Sequence, residues 1–421
     1  MPAINHRLGF AGLATSVVVL SACSAGTAAT NATKPAVKQD SYQASAKYLG
    51  AALGKDDPAK SPITLGWVNE QGGSSSSPEA TAGALAAVSV INDHLGGIDG
   101  HPLKLETCFV ADSEEQGQTC AQQMYNDSSV IGVLTGATGL SSPALHSTLA
   151  GKKPVIGSTP SSPTDVSASW AYYLGGGGYS APASMADYAV KDLGAKRIAL
   201  IGPAFVGTTI AIAQVKSLVA AAGGTLTIGT YPQGSSDVTA AIAASHAATA
   251  NEVLVLDNTT TGCIAIAQAM TQLAVKTKVV SLSTCAQDSV KSALGDLPQW
   301  TFLEPLKVPS QSVADSTGQV ADFLAAMATY QPDSTVQASA GPSFALVMYA
   351  ARLLDQIGAA NATAAALNAA VARSTAPEFM GGTAVRFGGK PFPAIGSMSN
   401  LFYTYKGNGA WAADANGAYV S

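Results

Sequence analysis

Short apolar runs alternate along this chain with longer segments whose apolar residues recur every three or four positions. The runs at 63–68 (ITLGWV), 103–109, 130–134, 154–156, 170–174, 197–201, 225–231, 252–256 and 278–282 predict strands. Between them the helical spacing predicts helices over 78–95, 113–126, 141–150, 181–193, 206–222, 237–246 and 261–273. In the first helix Ala84, Ala87, Val88 and Ile91 share the buried face. Strands that alternate with helices in this way imply βαβ units and a parallel sheet. The series runs twice, so the expected fold class is α/β, with two similar Rossmann-like lobes. Four glycines at 175–178 fit a crossing between them.

The stretch 130–165 carries the candidate chemistry. Two apolar runs there end in loops of glycine and hydroxyl residues, Thr135-Gly136-Ala137-Thr138-Gly139 and Gly157-Ser158-Thr159-Pro160-Ser161-Ser162. In an open parallel sheet such loops lie side by side at the carboxyl ends of the strands, where ligands bind. They offer backbone N–H groups and hydroxyls without an acid, base or nucleophile constellation, which favours holding a small polar molecule over reacting with it. A hydroxyl after a strand is also a common helix cap, a reading open to Thr138, Ser161 and Thr260 taken singly. Their clustering at the strand ends of one expected cleft favours the binding role.

Composition narrows the class. The chain has 421 residues, more than one typical domain. Its 47% hydrophobic and 12% charged residues supply a large core and exclude disorder. A net charge of −5 with no basic cluster argues against nucleic acid as a partner. GxSxG, HExxH, a P-loop and a helix-opening GxGxxG are missing from the sequence. Ser141 and Ser142 with His146 read as a coincidence on one helix with no acid partner nearby. No enzyme and no cofactor is expected.

The N-terminal residues change the expected compartment. Residues 8–20 follow Arg7 and are apolar or small throughout. The run is too short to span a bilayer, which takes ~20 residues, and fits the apolar region of a signal peptide over 1–22. It leads into Leu20-Ser21-Ala22-Cys23, which resembles a bacterial lipobox, with Cys23 as the lipidated residue. Residues 23–60 then read as the anchor and a flexible tether. Four cysteines remain, Cys108 and Cys120, and Cys263 and Cys285. An even number in an exported protein suggests disulfides. Three pairings are open, and the two local ones are simplest. A metal site is disfavoured, since the spacings are not CxxC and His6, His94, His101, His146 and His246 are scattered.

The helix end and turn at 91–106 (IND–HLGGIDGHPLKLE), the segment VIGVLTGATGLSSPAL and the later KKPVIGSTPSSPTD together resemble the leucine/isoleucine/valine-binding protein family from about Ser61 onward. These are solute-binding components of bacterial ABC importers with the type I periplasmic-binding fold. The resemblance implies three crossings that form a hinge, the second at 300–304 (WTFLE) and the third near 381–387. It implies that helices 314–330 and 341–358 return to the first lobe, and that 401–405 and Trp411 form terminal strands of the second. Residues 61–174 and 305–380 would make lobe 1, and 175–304 and 381–421 lobe 2.

It also implies a site between the lobes. Matching Pro143 and Pro163 to the family's loop prolines puts Thr138 at a ligand-binding serine and Thr159 and Ser161 in the next loop, with Gly139 and Ser141 beside them. Lobe 2 departs from the family. Val206 before Gly207, with Phe205 adjacent, stands where a tyrosine is usual. Asp257 to Thr261, including Thr260, replaces a second aromatic. The loop 283–287, with Thr284, lacks the acid that pairs an α-ammonium, and Asp288 is expected too far into the following helix. A buried ammonium without a carboxylate is unfavourable, so either Asp257 or Glu70 takes that role or the ligand is not an α-amino acid. The implied partners are a small solute, an ABC permease and, through the anchor, the membrane. A ligand sensor of the same fold is the alternative.

Overall fold

In the computed structural model the structure describes residues 42–419 apart from 74, 75, 112, 205 and 382, with 206, 207 and 415–419 described by backbone alone. The signal segment, Cys23 and Phe205 lie outside the described residues. Two sheets organise the chain. The first contains β1 (Ile63–Glu70), β2 (Leu103–Val110), β3 (Val130–Thr135), β4 (Val155–Gly157) and β5 (Ala171–Tyr173), in the order β2-β1-β3-β4-β5. All its pairings are parallel. The second contains β6 (Arg197–Pro203), β7 (Thr225–Tyr231), β8 (Glu252–Val255), β9 (Lys278–Leu282), β10 (Thr301–Glu304), β11 (Asn400–Gly407) and β12 (Ala410–Tyr419), in the order β12-β11-β10-β9-β8-β6-β7. Here β6 to β10 run parallel, while β11 and β12 close one edge as an antiparallel pair.

Every residue of β1 is buried, as expected of a parallel strand covered on both faces. Helix Pro78–His94 packs against helix Ala340–Ile357. A Cβ at Gly83 would lie 2.1 Å from the Ala340 carbonyl oxygen, so glycine sets how closely these helices approach. Helix Ala340–Ile357 therefore belongs to lobe 1. The second sheet separates two apolar clusters, one around Ile201, Val255 and Phe302 and one around Leu200, Leu254 and Phe402.

β5 ends at Tyr173 and the chain enters lobe 2 through 175–178, so the carboxyl edge of the first sheet faces lobe 2. β10 ends at Glu304 and the chain turns back, so the carboxyl edge of the second sheet faces lobe 1. The return is longer than expected. Val308 and Val313 still pack into the lobe 2 core, and Ser312 Oγ accepts from the Trp411 N–H at 2.9 Å. The helix expected over 314–330 accordingly starts at Gln319.

The third crossing also shifts. Tyr173 donates to Ala394 O (2.7 Å) and accepts from Gly396 N (2.8 Å), which holds 394–396 along the edge of the first sheet. The crossing thus falls at 397–399, not at 381–387. The tether ends sooner than expected too. Helix Gln43–Leu49 buries Ala46, Tyr48 and Leu49, and Ser45 donates from N and Oγ to Asp322 Oδ2 at 2.7 and 2.8 Å. These apolar side chains fold the segment onto lobe 1. The two disulfides are the local ones, Cys108–Cys120 and Cys263–Cys285. Among the described residues no helix is long and apolar enough to cross a membrane.

Candidate functional site

In each sheet the strand order reverses next to the first strand of the lobe, between β1 and β3 and between β6 and β8. Crevices open at the carboxyl ends of strands at such points. On lobe 1 this brings together the ends of β1 and β3. Glu70 N donates to Ala137 O at 2.7 Å, and Ala137 N donates to Asn69 Oδ1 at 3.0 Å. Asn69 Nδ2 in turn donates to Ser77 O (2.8 Å) and Thr81 Oγ1 (3.1 Å). Thr138 is 2% exposed, and its carbonyl accepts from the Ser141 hydroxyl. Gly139 has a φ of +44°, which suits glycine. A Cβ there would meet Glu70 Oε2 at 3.0 Å, so the Glu70 carboxylate lies beside the Thr138 loop.

Sequence reading missed what ties this loop to the next. Asp165 Oδ2 accepts from Ser161 N (2.5 Å) and Ser162 N (2.8 Å), and the Ser162 hydroxyl accepts from Asp165 N (3.3 Å). This is a capping box on the short helix Pro163–Ser167. The other oxygen, Oδ1, accepts from the Ser142 hydroxyl and contacts His146 Nε2 at 2.9 Å, while Tyr173 Oη lies 3.1 Å from the same ring nitrogen. Burial would raise the Asp165 carboxyl, but the bonds from His146, Ser142 and Ser161 hold it below its usual range.

The expectation that Ser142 and His146 have no acid nearby is thus corrected, since Asp165 reaches both. They are not arranged to react, however. The Ser142 hydroxyl faces Asp165, and Ser142, His146 and Asp165 are all fully buried. The network positions the two loops, leaving Thr159 half-buried and Ser161 exposed at their tip. Ser162-Pro163-Thr164-Asp165 is the signal that was available, a serine with an acid three residues on.

On lobe 2, Asp257 ends the segment after β8 and is 1% exposed. Its carboxylate accepts from the Tyr231 hydroxyl and from Thr259 N and Oγ1, both at 2.7 Å. Burial, and then the Asp257 bond, push the Tyr231 hydroxyl well up. A Cβ at Gly262 would fall 1.9 Å from Asp257 Oδ2, so the carboxylate is tucked beneath helix Thr260–Gln272. Thr260 Oγ1 donates to Gln287 Oε1 at 3.3 Å. Thr284 is half-buried on the short turn Ser283–Ala286. Asp288 opens helix Asp288–Leu294 and accepts from Thr335 Oγ1 of lobe 1 at 2.5 Å, so it bridges the lobes. Among the described residues no group of three His, Cys, Asp or Glu is placed to hold a metal ion.

Two βαβ lobes on a hinge, with polar strand-end loops facing each other, define a type I periplasmic-binding fold. Residues 62–394 match the family model described as periplasmic binding protein, and the chain belongs to that family. Solved structures agree on the fold. An ABC transporter substrate-binding protein from Sphaerobacter thermophilus aligns with a TM-score of 0.68 at 18% identity, over 85% of this chain and 98% of that one. The branched-chain amino acid transporter substrate-binding protein LivJ from Streptococcus pneumoniae, in complex with isoleucine, gives 0.66 at 17% identity over 86% and 99%. A fatty acid ABC transporter substrate-binding protein from Thermomonospora curvata gives 0.65 at 13% over 88% and 95%. No curated protein matches the sequence.

Proposed function

We propose that the protein is an extracytoplasmic solute receptor of an ABC importer. It takes a small polar solute between its lobes and presents the closed form to a membrane permease. The lipobox-like run before Cys23 supports a lipid anchor on the outer face of the membrane. The observation that carries this reading is the pair of cross-tied lobe 1 loops, which leave hydroxyls and backbone N–H groups at the edge facing lobe 2. Thr138, Gly139, Thr159 and Ser161 form that half-site. Ser141 holds the loop through its bond to Thr138 O. Donors of this kind suit a carboxylate or carbonyl oxygen.

Thr260, Thr284 and Phe205 would complete the cleft from lobe 2. Asp257 is bonded to Tyr231 and Thr259 beneath its own helix, whereas the Glu70 carboxylate lies beside the Thr138 loop, so Glu70 is the acid proposed for a ligand ammonium. Closure follows because only the closed form contacts the solute with both lobes.

A thermal-shift panel on the purified protein tests this, with branched-chain and polar amino acids, amides, small carboxylates and fatty acids. A ligand that binds only the folded form raises the midpoint. A rise with leucine or valine that Glu70→Gln removes supports an amino-acid ligand. A rise with amides or carboxylates alone supports a solute without an ammonium. A rise only with fatty acids contradicts the polar-solute reading, and a flat response across the panel contradicts the receptor reading.

A further inference from the structure

A cavity lies on the flank of lobe 1, away from the strand-end loops. It measures about 620 Å³ and is lined by the end of helix Ala340–Ile357, by helix Ala364–Arg373 and by the residues that follow. The chain has five arginines, and two of them, Arg352 and Arg373, line this one cavity. Gln356, Ser374 and Thr375 add amide and hydroxyl groups, and alanines of helix Ala364–Arg373 make an apolar wall. No carboxylate lines it. Asp355, on the same helix as Arg352, has Asp99 as its charged neighbour. Glu378 follows Pro377 but lines a different pocket, at the crossings.

Each arginine has structural contacts that account for part of it, and Arg352 also donates a hydrogen bond to the Tyr48 side chain. Arg352 lies with Cζ 4.9 Å from the centre of the Tyr48 ring, and Arg373 ends a helix whose carbonyls favour a cation. None of these contacts uses the full fork of donors. Arg352 Nε is buried with no hydrogen-bond partner among the described residues. Neither guanidinium is in an ion pair among the described residues. A buried donor left unpaired is unfavourable. Arginine forks match the planar oxygens of carboxylate and phosphate.

We propose that this cavity is a second ligand site, which binds a soluble oxyanion, phosphate- or carboxylate-bearing, between Arg352 and Arg373. It does not depend on the identity of the cleft ligand. The test is titration of the purified protein with inorganic phosphate and with succinate, against sodium chloride of equal ionic strength. The readouts are thermal shift and calorimetry. At least one oxyanion should give a saturable rise in midpoint that chloride does not. Arg373→Gln should weaken that binding at least tenfold, and because this side chain is exposed the variant should fold. Lys276→Gln removes the same charge from an exposed site on lobe 2 and should leave the binding as it was. Responses equal to chloride for both oxyanions, or an unchanged affinity in Arg373→Gln, would overturn the proposal.

Discussion

The strand-end loops of the two lobes are held in opposite ways. On lobe 1, Asn69 and Asp165 are interior anchors that bond outward to neighbouring loops, so three loops brace one another, with Thr138 buried, Thr159 half-buried and Ser161 exposed at their ends. On lobe 2, the acid at the corresponding edge, Asp257, is drawn inward to Tyr231 and Thr259 under its own helix. One lobe uses its buried polar groups to present donors; the other uses its acid to shape the chain. A carboxylate found at a strand end in sequence is therefore not yet a ligand partner, because its other bonds decide where it points.

Replacing these two acids should separate the roles most sharply. Asp165→Ala leaves the Ser142 hydroxyl, His146 Nε2 and two backbone N–H groups without their buried acceptor. The expected loss of stability is about 3–5 kcal/mol in urea denaturation, with solute binding lost as the loops separate. Asp257→Asn should lower stability by about 1–3 kcal/mol and leave affinity within a few-fold. Loss of binding in Asp257→Asn at unchanged stability would break the comparison.

The disulfides give a second contrast. Removing either pair should lower stability by about 3 kcal/mol, the chain-entropy figure for loops of this length. Cys263 and Cys285 lie against the Asp257 carbonyl and join helix Thr260–Gln272 to the turn after β9. Their replacement should weaken solute binding as well. Cys108–Cys120 ties the edge strand β2 to helix Glu114–Asn126, and its loss should leave affinity unchanged in calorimetry.

Alternation of apolar runs with helical spacing was enough to find β1 to β9, because each is a local apolar run, while β10 to β12 were expected only from the family resemblance. The glycine and hydroxyl loops after β3 and β4 were legible for the same reason. The long-range partners were not. Asp165 meets His146 from a separate helix, and Tyr231 at the end of β7 reaches Asp257 after β8 past the intervening β6, so neither pair leaves a periodic trace. Helix Gln43–Leu49 was hidden because its buried face is short and set among polar residues. The third crossing was misplaced because Ala394 and Ile395 join the first sheet through a short backbone bridge that no apolar run announces.

pH should distinguish the crossings from the loops. Burial raises Glu304 and Glu378 to about 8. Folded chains then keep protons that unfolded chains release above the ordinary glutamate range. This contribution is complete at low pH and is lost as pH rises toward 8. Asp165 is shifted the other way, so its contribution is present at neutral pH and lost as pH falls below the ordinary aspartate range. Glu378→Gln should flatten the loss between pH 5 and 8 by ~3 kcal/mol, read from urea midpoints. An unchanged slope would show that Glu378 ionises freely.

The smallest expected effect bears most directly on the half-site. The Thr138 carbonyl, not its side chain, accepts the bond from Ser141. Thr138→Val therefore keeps the loop tie and nearly the same shape while removing one hydroxyl. Ser161 likewise holds Asp165 through its backbone N–H, so Ser161→Ala removes a hydroxyl and no anchor. If these hydroxyls meet the solute, each variant should lose about 1 kcal/mol of binding, roughly fivefold in affinity, with its denaturation midpoint unchanged. A drop in midpoint equal to the drop in affinity would mean that the hydroxyls hold the loops. Unchanged affinity in both would move the solute away from the ends of β3 and β4, and the exposed donors at Ser161 would then need another occupant.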